Sequence, residues 1–384
     1  MSVETISLGC RLNFAETETI ARTVPSDEQW IVVNSCSVTK ESVRHTRQAI
    51  RRAHRRRPDA RILVTGCAAE LDRGSFERMP EVARVVANEG KLGAFGSLAS
   101  VAAGSHSQVR SFVAVQNGCD HRCTFCSIWQ ARGPSISLPF QAIRDAVAQE
   151  IDRGAREIVL TGVDITDYEG GLGALCQRLF AAEPRLKRLR LSSLDSIEID
   201  DALFELLPDP RIMPHFHLSL QSGDDMILKR MKRRHSRAQA VAVVERMKAV
   251  RPEATIGADL IAGFPTETDE MALNSLKLLD DCDIVAAHVF PFSPRPNTPA
   301  ARMPQLPRDV VKARATRLRE AAKARRIGWL DSLIGSSQTV LMESGGKGHS
   351  DAFAPVAIAG ARRGDIGIAR ITARDDARLI GAFE

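Results

Sequence analysis

The chain has 384 residues, 44% of them hydrophobic and 26% charged, with a net charge of +6 and a pI of about 9.0. That length suits two or three ordinary domains, and the composition excludes a disordered, collagenous or disulfide-dense chain. No apolar run reaches the ~18 residues of a bilayer span, and MSVETISLGC lacks the basic and apolar regions of a secretory signal, so a cytoplasmic protein with reduced thiols and no membrane partner is expected.

The first hundred residues alternate short apolar runs with helical spacing. ETISLGC (4–10), QWIVVNSC (29–36) and ARILVTGC (60–67) have the continuous apolar character of buried parallel strands. AETETIARTV and SVRHTRQAIRRAHRR between them have helical periodicity, and GSLASVAAGSHSQ (96–108) has the composition of a linker. The β–α alternation then resumes, with strand candidates at 111–119, 156–164, 187–194, 215–222, 254–264 and 283–292 and helical patterns at 141–154 and 237–250. Such a run predicts a parallel β/α barrel, complete or partial. After a helix at 308–333, the segments SQTVLMESG, FAPVAIAG, DIGIARITAR and ARLIGAF fit a small barrel of OB-like size. The expected fold class is therefore α/β: an N-terminal Rossmann-like parallel sheet (1–105), a β/α barrel (106–333) and a C-terminal β-barrel (334–384).

The positive charge is unevenly spread. RHTRQAIRRAHRRRPDAR (44–61), KRMKRRHSR (229–237) and RDVVKARATRLREAAKARR (308–326) are dense in Arg and Lys. Each stretch alone could be a solvated helix face; together they suit a polyanion such as RNA or DNA. With a single Tyr and 5% aromatic residues, stacking platforms are few, so phosphate contacts should dominate.

Cysteines carry the sharpest signal. NGCDHRCTFC packs Cys119, Cys123 and Cys126 into one short loop at the end of the first barrel strand, where active sites of such barrels lie. A structural zinc site needs four ligands, and His121 inside the run is awkwardly placed to be the fourth. An iron–sulfur cluster held by three thiolates leaves one iron open to a reactive ligand. Cys10, Cys36 and Cys67 each end an apolar run, and neighbouring parallel strands end at one edge, so these three thiols can converge. The plain alternative is three small buried hydrophobes. Cys176 and Cys282 have no evident partners and read as core. An iron–sulfur electron carrier or a zinc-bearing RNA-binding module is the non-enzymatic alternative. GGLG (170–173) reads as a turn, and Asp259, inside a strand, as a hydrogen-bonded carboxylate.

C-x3-C-x-F-C at the end of a barrel's first strand resembles the radical S-adenosylmethionine enzymes. In that family the three cysteines hold a [4Fe–4S] cluster whose open iron chelates S-adenosyl-L-methionine, and Phe125 belongs to the motif near the adenine. Over nearly the whole chain, SLGCRLNFAETE, VNSCSVTKESVRHTRQAIRR, VTGCAAE, LTGVD, RLSSLD, HFHLSLQSGDDMILKRMKRRH, DLIAGFPTETDE and HVFPFSPRPNTPA resemble its methylthiotransferase branch. The resemblance implies a second [4Fe–4S] cluster on Cys10, Cys36 and Cys67, and a C-terminal RNA-binding barrel of the TRAM type. It implies cofactor contacts at Thr161, Gly162, Ser192, Ser193, Gln221 and Arg233, each of which could equally pack or cap. It also implies a tRNA anticodon stem-loop as substrate, a sulfur donor, and an electron donor such as flavodoxin or ferredoxin.

LGCRLN with N-x-C-x-VT is most similar to the enzymes that place a methylthio group at C2 of N6-threonylcarbamoyladenosine beside the anticodon. Isopentenyladenosine in tRNA and an aspartate of a ribosomal protein are the other substrates of the branch. Three departures bear on the substrate. Ile136 and Leu138 stand where the branch has basic residues after Arg132, RLSSLDSIEI lacks a common proline, and the C-terminal tail is short.

Overall fold

The computed structural model describes residues 3–25, 28–93 and 109–384. The predicted linker at 96–108 lies outside them. In chain order the N-terminal part runs β1 (Glu4–Ser7), α1 (Arg11–Thr23), β2 (Trp30–Ser35), α2 (Lys40–Arg56), β3 (Arg61–Gly66), α3 (Cys67–Leu71), α4 (Arg73–Glu77) and β4 (Arg84–Val85). The four strands form one parallel sheet in the order β1-β2-β3-β4. Alternate residues of β2 and β3 feed opposite faces. Ile31, Val33, Ile62 and Val64 pack with Ile50 and Ala53 of α2, while Val32 and Leu63 pack with Ile20 of α1. A sheet covered on both faces explains strands that are apolar throughout rather than alternating. Thr39 caps α2 by accepting the Ser42 N–H at 3.1 Å.

The middle of the chain supplies β5 (Arg110–Ala114), β6 (Gln116–Asn117), α5 (Ile128–Arg132), β7 (Ile136–Ser137), α6 (Phe140–Asp152), β8 (Glu157–Thr161), α7 (Leu172–Ala182), β9 (Leu189–Leu191) and α8 (Asp201–Leu206). It continues with β10 (His215–Gln221), α9 (Asp225–Met231), α10 (Arg237–Val250), β11 (Thr255–Ala262), α11 (Asp269–Asp281), β12 (Ile284–Pro291) and α12 (Arg308–Ser332). Strands β5-β8-β9 and β10-β11-β12 form two parallel sheets, joined by parallel bridges Leu189↔Ile212 and Leu194↔Leu218. The result is a curved wall of parallel strands. Among the described residues β5 and β12 do not pair, so the barrel is partial. Helix α1 packs on β5, with Phe14 edge-on to Phe112 at 5.8 Å, and α12 packs on β12.

The C-terminal strands β13 (Ser337–Ser344), β14 (Lys347–Ser350), β15 (Pro355–Ile358), β16 (Ile366–Arg374) and β17 (Leu379–Phe383) close into a barrel in the order β13-β14-β15-β17-β16. Four β segments were expected there. The additional strand, KGHS, is short, polar and glycine-bearing, and it forms because it pairs with Leu341 and Met342 on one side and Val356 on the other. The loop after β14 closes the N-terminal end of the partial barrel. Arg188 pairs with Asp351 at 2.5 Å, Thr255 Oγ1 donates to Ala352 O at 2.9 Å, and Phe353 stacks on His215 at 5.2 Å.

The three basic stretches divide on folding. On α2, Arg44, Arg51, Arg52, Arg55 and Arg56 are exposed. In 229–237, by contrast, Arg233 is buried against Cys123, Arg234 meets Glu198 and Arg237 meets Asp281. On α12, Arg314 holds Glu267 and Asp269, and Arg325 holds Asp280 and Asp283. Part of the charge in the last two stretches is thus paired, while Lys229, Lys232, Arg308, Lys312, Arg317, Arg319 and Lys323 stay exposed.

Candidate functional site: two cysteine triads at one crevice

The loop bearing Cys119, Cys123 and Cys126 leaves the C-terminal end of β5. Its base is pinned by β6 pairing with β7. Gly118 is obligatory there, since at φ +74° a Cβ would lie 1.7 Å from Pro134 O. Gln116 braces the loop to β8: its Oε1 accepts N–H from Val163 and Asp164, and its Nε2 donates to Gly118 O at 2.8 Å. Thr124 ties the far side to α9, with its N–H on Met231 O at 3.0 Å and its hydroxyl on Arg230 O at 2.8 Å. Phe125 packs into an apolar cluster with Ile227, Met231, Phe264 and Ala300.

Donors surround the sulfurs. The Ile128 N–H points at Cys126 Sγ at 3.3 Å, and an Arg233 guanidinium nitrogen approaches Cys123 Sγ at 3.7 Å. Arg233 is itself held by Asp195 at 2.7 Å and Ser219 O at 2.8 Å. Burial pushes the Cys119 thiol up to about 12 and the Cys126 thiol up to about 11. A proton therefore stays on each until a metal replaces it. A His121 ring nitrogen lies within 4.8 Å of Cys119 Sγ, but its hydrogen bonds go to carboxylates. It sits 2.8 Å from Asp164 and 3.3 Å from Glu198, whose hydrogen bonds raise its pKa to about 10.

The strand-end residues expected to bind cofactor ring the same mouth. Thr161 ends β8 and Gly162 follows it, where a Cβ would stand 2.9 Å from Gln116 O. Ser192 and Ser193 follow β9, and Gln221 ends β10 with φ +67°, a conformation rare for a side chain of its size.

The second triad gathers at the C-terminal edge of the N-terminal sheet. Cys10 precedes α1, Cys36 follows β2, and Cys67 starts α3 directly after β3. Cys36 and Cys67 are buried while Cys10 is exposed at the crevice. Gly9, at φ +94°, lets Cys36 Sγ come within 2.7 Å of where a Cβ would be. Cys67 lies within electrostatic reach of Cys10 and Cys36, and also of Cys126 in the first triad. Cys176 and Cys282 are buried elsewhere in the barrel's helical layer, as core.

Arg132, at the end of α5, joins the triads. Its Nε donates to Cys67 Sγ at 3.3 Å, and its terminal nitrogens reach Glu16 at 2.9 and 3.0 Å, Asn117 Oδ1 at 2.7 Å and Asn13 Oδ1 at 2.6 Å. Lys91 adds a contact to Glu16 at 2.5 Å. Burial alone would raise the Glu16 carboxyl, but Arg132 and Lys91 draw it down to about 2. Arg295, buried in the loop after β12 with its Nε unpaired, lies within electrostatic range of Cys36 but makes no hydrogen bond to it. Sequence reasoning gave Arg132, Arg295 and Asp195 no role, although each lies in or beside a motif segment: ARG, SPRPNTPA and RLSSLD. Two sets of three thiols, each supplied with cations or N–H donors, suit a thiolate-held anionic cluster.

Below the mouth the lumen is strongly polar. Glu157 is surrounded by Arg110, Arg188 and Arg190 at 2.5, 2.9 and 2.8 Å. Asp259 is bridged by His217 at 3.0 Å and His288 at 3.1 Å. Against the opposing effect of burial, these imidazoles hold its carboxyl well below the usual carboxylate range. Arg11, next in sequence to Cys10, turns away from the thiols, its guanidinium 5.9 Å from the ring centres of both Phe112 and Phe353.

With this geometry in hand, comparisons with known proteins agree in kind. The Radical SAM superfamily profile matches residues 113–279, and that of the uncharacterized protein family UPF0004 matches residues 2–88. A threonylcarbamoyladenosine tRNA methylthiotransferase MtaB of Rickettsia prowazekii is 42% identical over 92% of this chain and 90% of its own length. The protein of that name from Thermotoga maritima is 31% identical, covering 88% of this chain and 85% of its own length. A tRNA-2-methylthio-N(6)-dimethylallyladenosine synthase of Erythrobacter litoralis is 30% identical, covering 89% and 86%. Among solved structures, the radical S-adenosylmethionine methyltransferase TsrM of Kitasatospora setae superposes with a TM-score of 0.54 at 14% identity. That match covers 74% of this chain and 66% of TsrM, and bears on the fold alone.

Proposed function

The chain belongs to the radical S-adenosylmethionine methylthiotransferases, and on that premise we propose that it replaces the C2 hydrogen of N6-threonylcarbamoyladenosine, beside the anticodon of tRNA, with a methylthio group. Membership brings a [4Fe–4S] cluster and S-adenosylmethionine. Bound at the mouth of the partial barrel, they supply the one-electron chemistry that an unactivated C–H bond demands.

Cys119, Cys123 and Cys126 are the residues to hold that cluster, with Arg233 and the Ile128 N–H offsetting thiolate charge. Thr161, Gly162, Ser192, Ser193 and Gln221 present strand-end groups to the cofactor, and Phe125 shields one side. Cys10, Cys36 and Cys67 hold a second [4Fe–4S] cluster, the site of sulfur transfer, with Arg132 and Arg295 beside it. The observation that carries this reading is Arg132, which follows the first triad in the chain and donates to Cys67 Sγ of the second at 3.3 Å while holding Asn117 at the base of the first triad's loop at 2.7 Å.

The exposed arginines of α2 suit the anticodon stem-loop, by phosphate contacts that weaken with salt. The chain divides functionally at 1–105, 106–333 and 334–384, the last an RNA-binding barrel. A cytoplasmic setting, with flavodoxin or ferredoxin as electron donor and a separate sulfur donor, completes the reading. No helix among the described residues is long and apolar enough to cross a membrane.

Nucleoside mass spectrometry of tRNA from cells with and without the gene tests the substrate. The methylthio form of threonylcarbamoyladenosine should vanish without the gene, and its unthiolated precursor should rise. An unchanged nucleoside would redirect the search to isopentenyladenosine. Independently, changing Cys10, Cys36 and Cys67 together to Ala should remove about half the iron and sulfide of anaerobically reconstituted protein. Full iron content in that variant would refute the second cluster.

A further inference from the structure

The two kinds of relative described above act on adenosines with different N6 substituents. Threonylcarbamoyl ends in a carboxylate; dimethylallyl carries no charge. A site that accepts the first and rejects the second needs a cation that is free to take an anion, because buried polar groups left unpaired penalise the wrong ligand.

Most guanidiniums around the crevice are already engaged. Arg110, Arg188 and Arg190 share Glu157. Arg132 is held by Glu16 and Arg233 by Asp195. Among the described residues Arg11 has no hydrogen-bond or ion-pair partner; the rings of Phe112 and Phe353 flank it, and Arg110, Arg190, Glu157 and Glu343 act on it only at longer range. Arg295 also lacks a hydrogen-bond or ion-pair partner among the described residues, its Nε buried and unpaired, but it stands by the N-terminal thiols, whereas Arg11 stands in the lumen. Phe112 faces α1 on β5, two residues below Ala114, where the strand ends, so Arg11 stands roughly 7 Å down the wall at the usual rise of about 3.3 Å per residue. A threonylcarbamoyl carboxylate projects several bonds beyond the base, which matches that depth.

We propose that Arg11 is a specificity-determining residue whose guanidinium receives the carboxylate of the threonylcarbamoyl group when the adenine stands between the two cysteine triads. The inference rests on the proposed substrate. It assigns the N6 substituent to the lumen, with the base above it at the mouth. Phe112 and Phe353 hold the guanidinium plane by cation–π contact without consuming its donors. The fork can then bind the carboxylate through two parallel N–H···O bonds.

The test uses reconstituted protein and two anticodon stem-loops, one with the natural N6-threonylcarbamoyl group and one with its carboxylate converted to a carboxamide. Equilibrium binding is read by fluorescence anisotropy and methylthio formation by mass spectrometry. Wild-type protein should bind the carboxamide roughly tenfold or more weakly and show the loss mainly in KM. Arg11→Gln should bind the two stem-loops alike, and Arg11→Lys should regain part of the discrimination. Iron content per chain checks that neither variant has lost its clusters. The wild-type comparison stands even if a variant misfolds. Equal binding and modification of both stem-loops by wild-type protein would overturn the role of Arg11 and leave the proposed function intact. Modification of a dimethylallyl stem-loop but of neither threonylcarbamoyl form would instead overturn the substrate reading.

Discussion

At the scale of single residues, Arg132 is the most constrained side chain of the crevice. Its side chain is 1% exposed and it bonds four partners drawn from the N-terminal sheet region and the barrel. Removing it leaves Glu16 buried with only Lys91 beside it, and breaking a buried pair typically costs about 3–5 kcal/mol. Arg132→Ala should therefore lower unfolding stability by about that amount, as read by chemical denaturation, and Arg132→Lys should recover only a fraction because it lacks the planar fork. The same ion cluster sets an acid limit. The Glu16 pKa falls from an ordinary 4.5 to about 2, so the unfolded chain binds more protons across that interval. Its stabilisation is complete above about pH 4.5 and is lost as pH falls toward 2. Denaturation of wild-type and Glu16→Gln protein at a series of pH values should show a gap that narrows over that window; a constant gap would exclude the linkage.

At the scale of elements, strand ends decide where the N-terminal thiols lie. Cys67 follows β3 only because Gly66 takes φ +93°, with Asn34 Oδ1 and Ser35 O at 2.3 and 2.4 Å from where a Cβ would be. Gly66→Ala should displace the start of α3 and cut the iron bound after reconstitution, measured against the same substitution at the open Gly154. Helix α1 works on several levels at once. Cys10 stands at its N-terminus, Glu16 meets Arg132, Phe14 lies on Phe112, and Arg11 enters the lumen. Its apolar periodicity was legible in the sequence, but its packing against the exposed edge of a barrel was not. Nothing local marks a helix as the cover of another unit's open strand. In the same way 229–237 reads as a basic stretch, whereas Arg233, Arg234 and Arg237 each have a carboxylate waiting in space.

At the scale of the whole molecule, the C-terminal barrel is more than an appendage. Phe353, at φ +69°, lies between His215 and His349 and takes the guanidiniums of Arg110 and Arg190 at 4.9 and 4.7 Å. The two stacked rings and the cations make it a hub between the β-barrel and the base of the partial barrel. Cation–π contacts of this kind are worth about 0.5–2 kcal/mol each. Phe353→Leu keeps an apolar side chain but loses them, and it should lower the thermal midpoint while speeding proteolysis at the α12–β13 junction. An unchanged cleavage rate would mean that the salt bridges from Arg188 and Arg110 hold the barrel without the ring.

The sequence by itself determined the α/β class, the parallel strands and the family, and it singled out six cysteines as candidate ligands, because strand periodicity and cysteine spacing are local properties. It also led to the strand ends as the place for the site, since parallel strands must finish at a common edge. Only the tertiary structure decided that the barrel is partial, that Arg132 bonds Cys67, and that Arg11 turns into the lumen with no ion-pair partner among the described residues. Those facts depend on which charges from distant segments meet when water is excluded. Burial makes each pairing worth kilocalories, but no spacing along the chain records it.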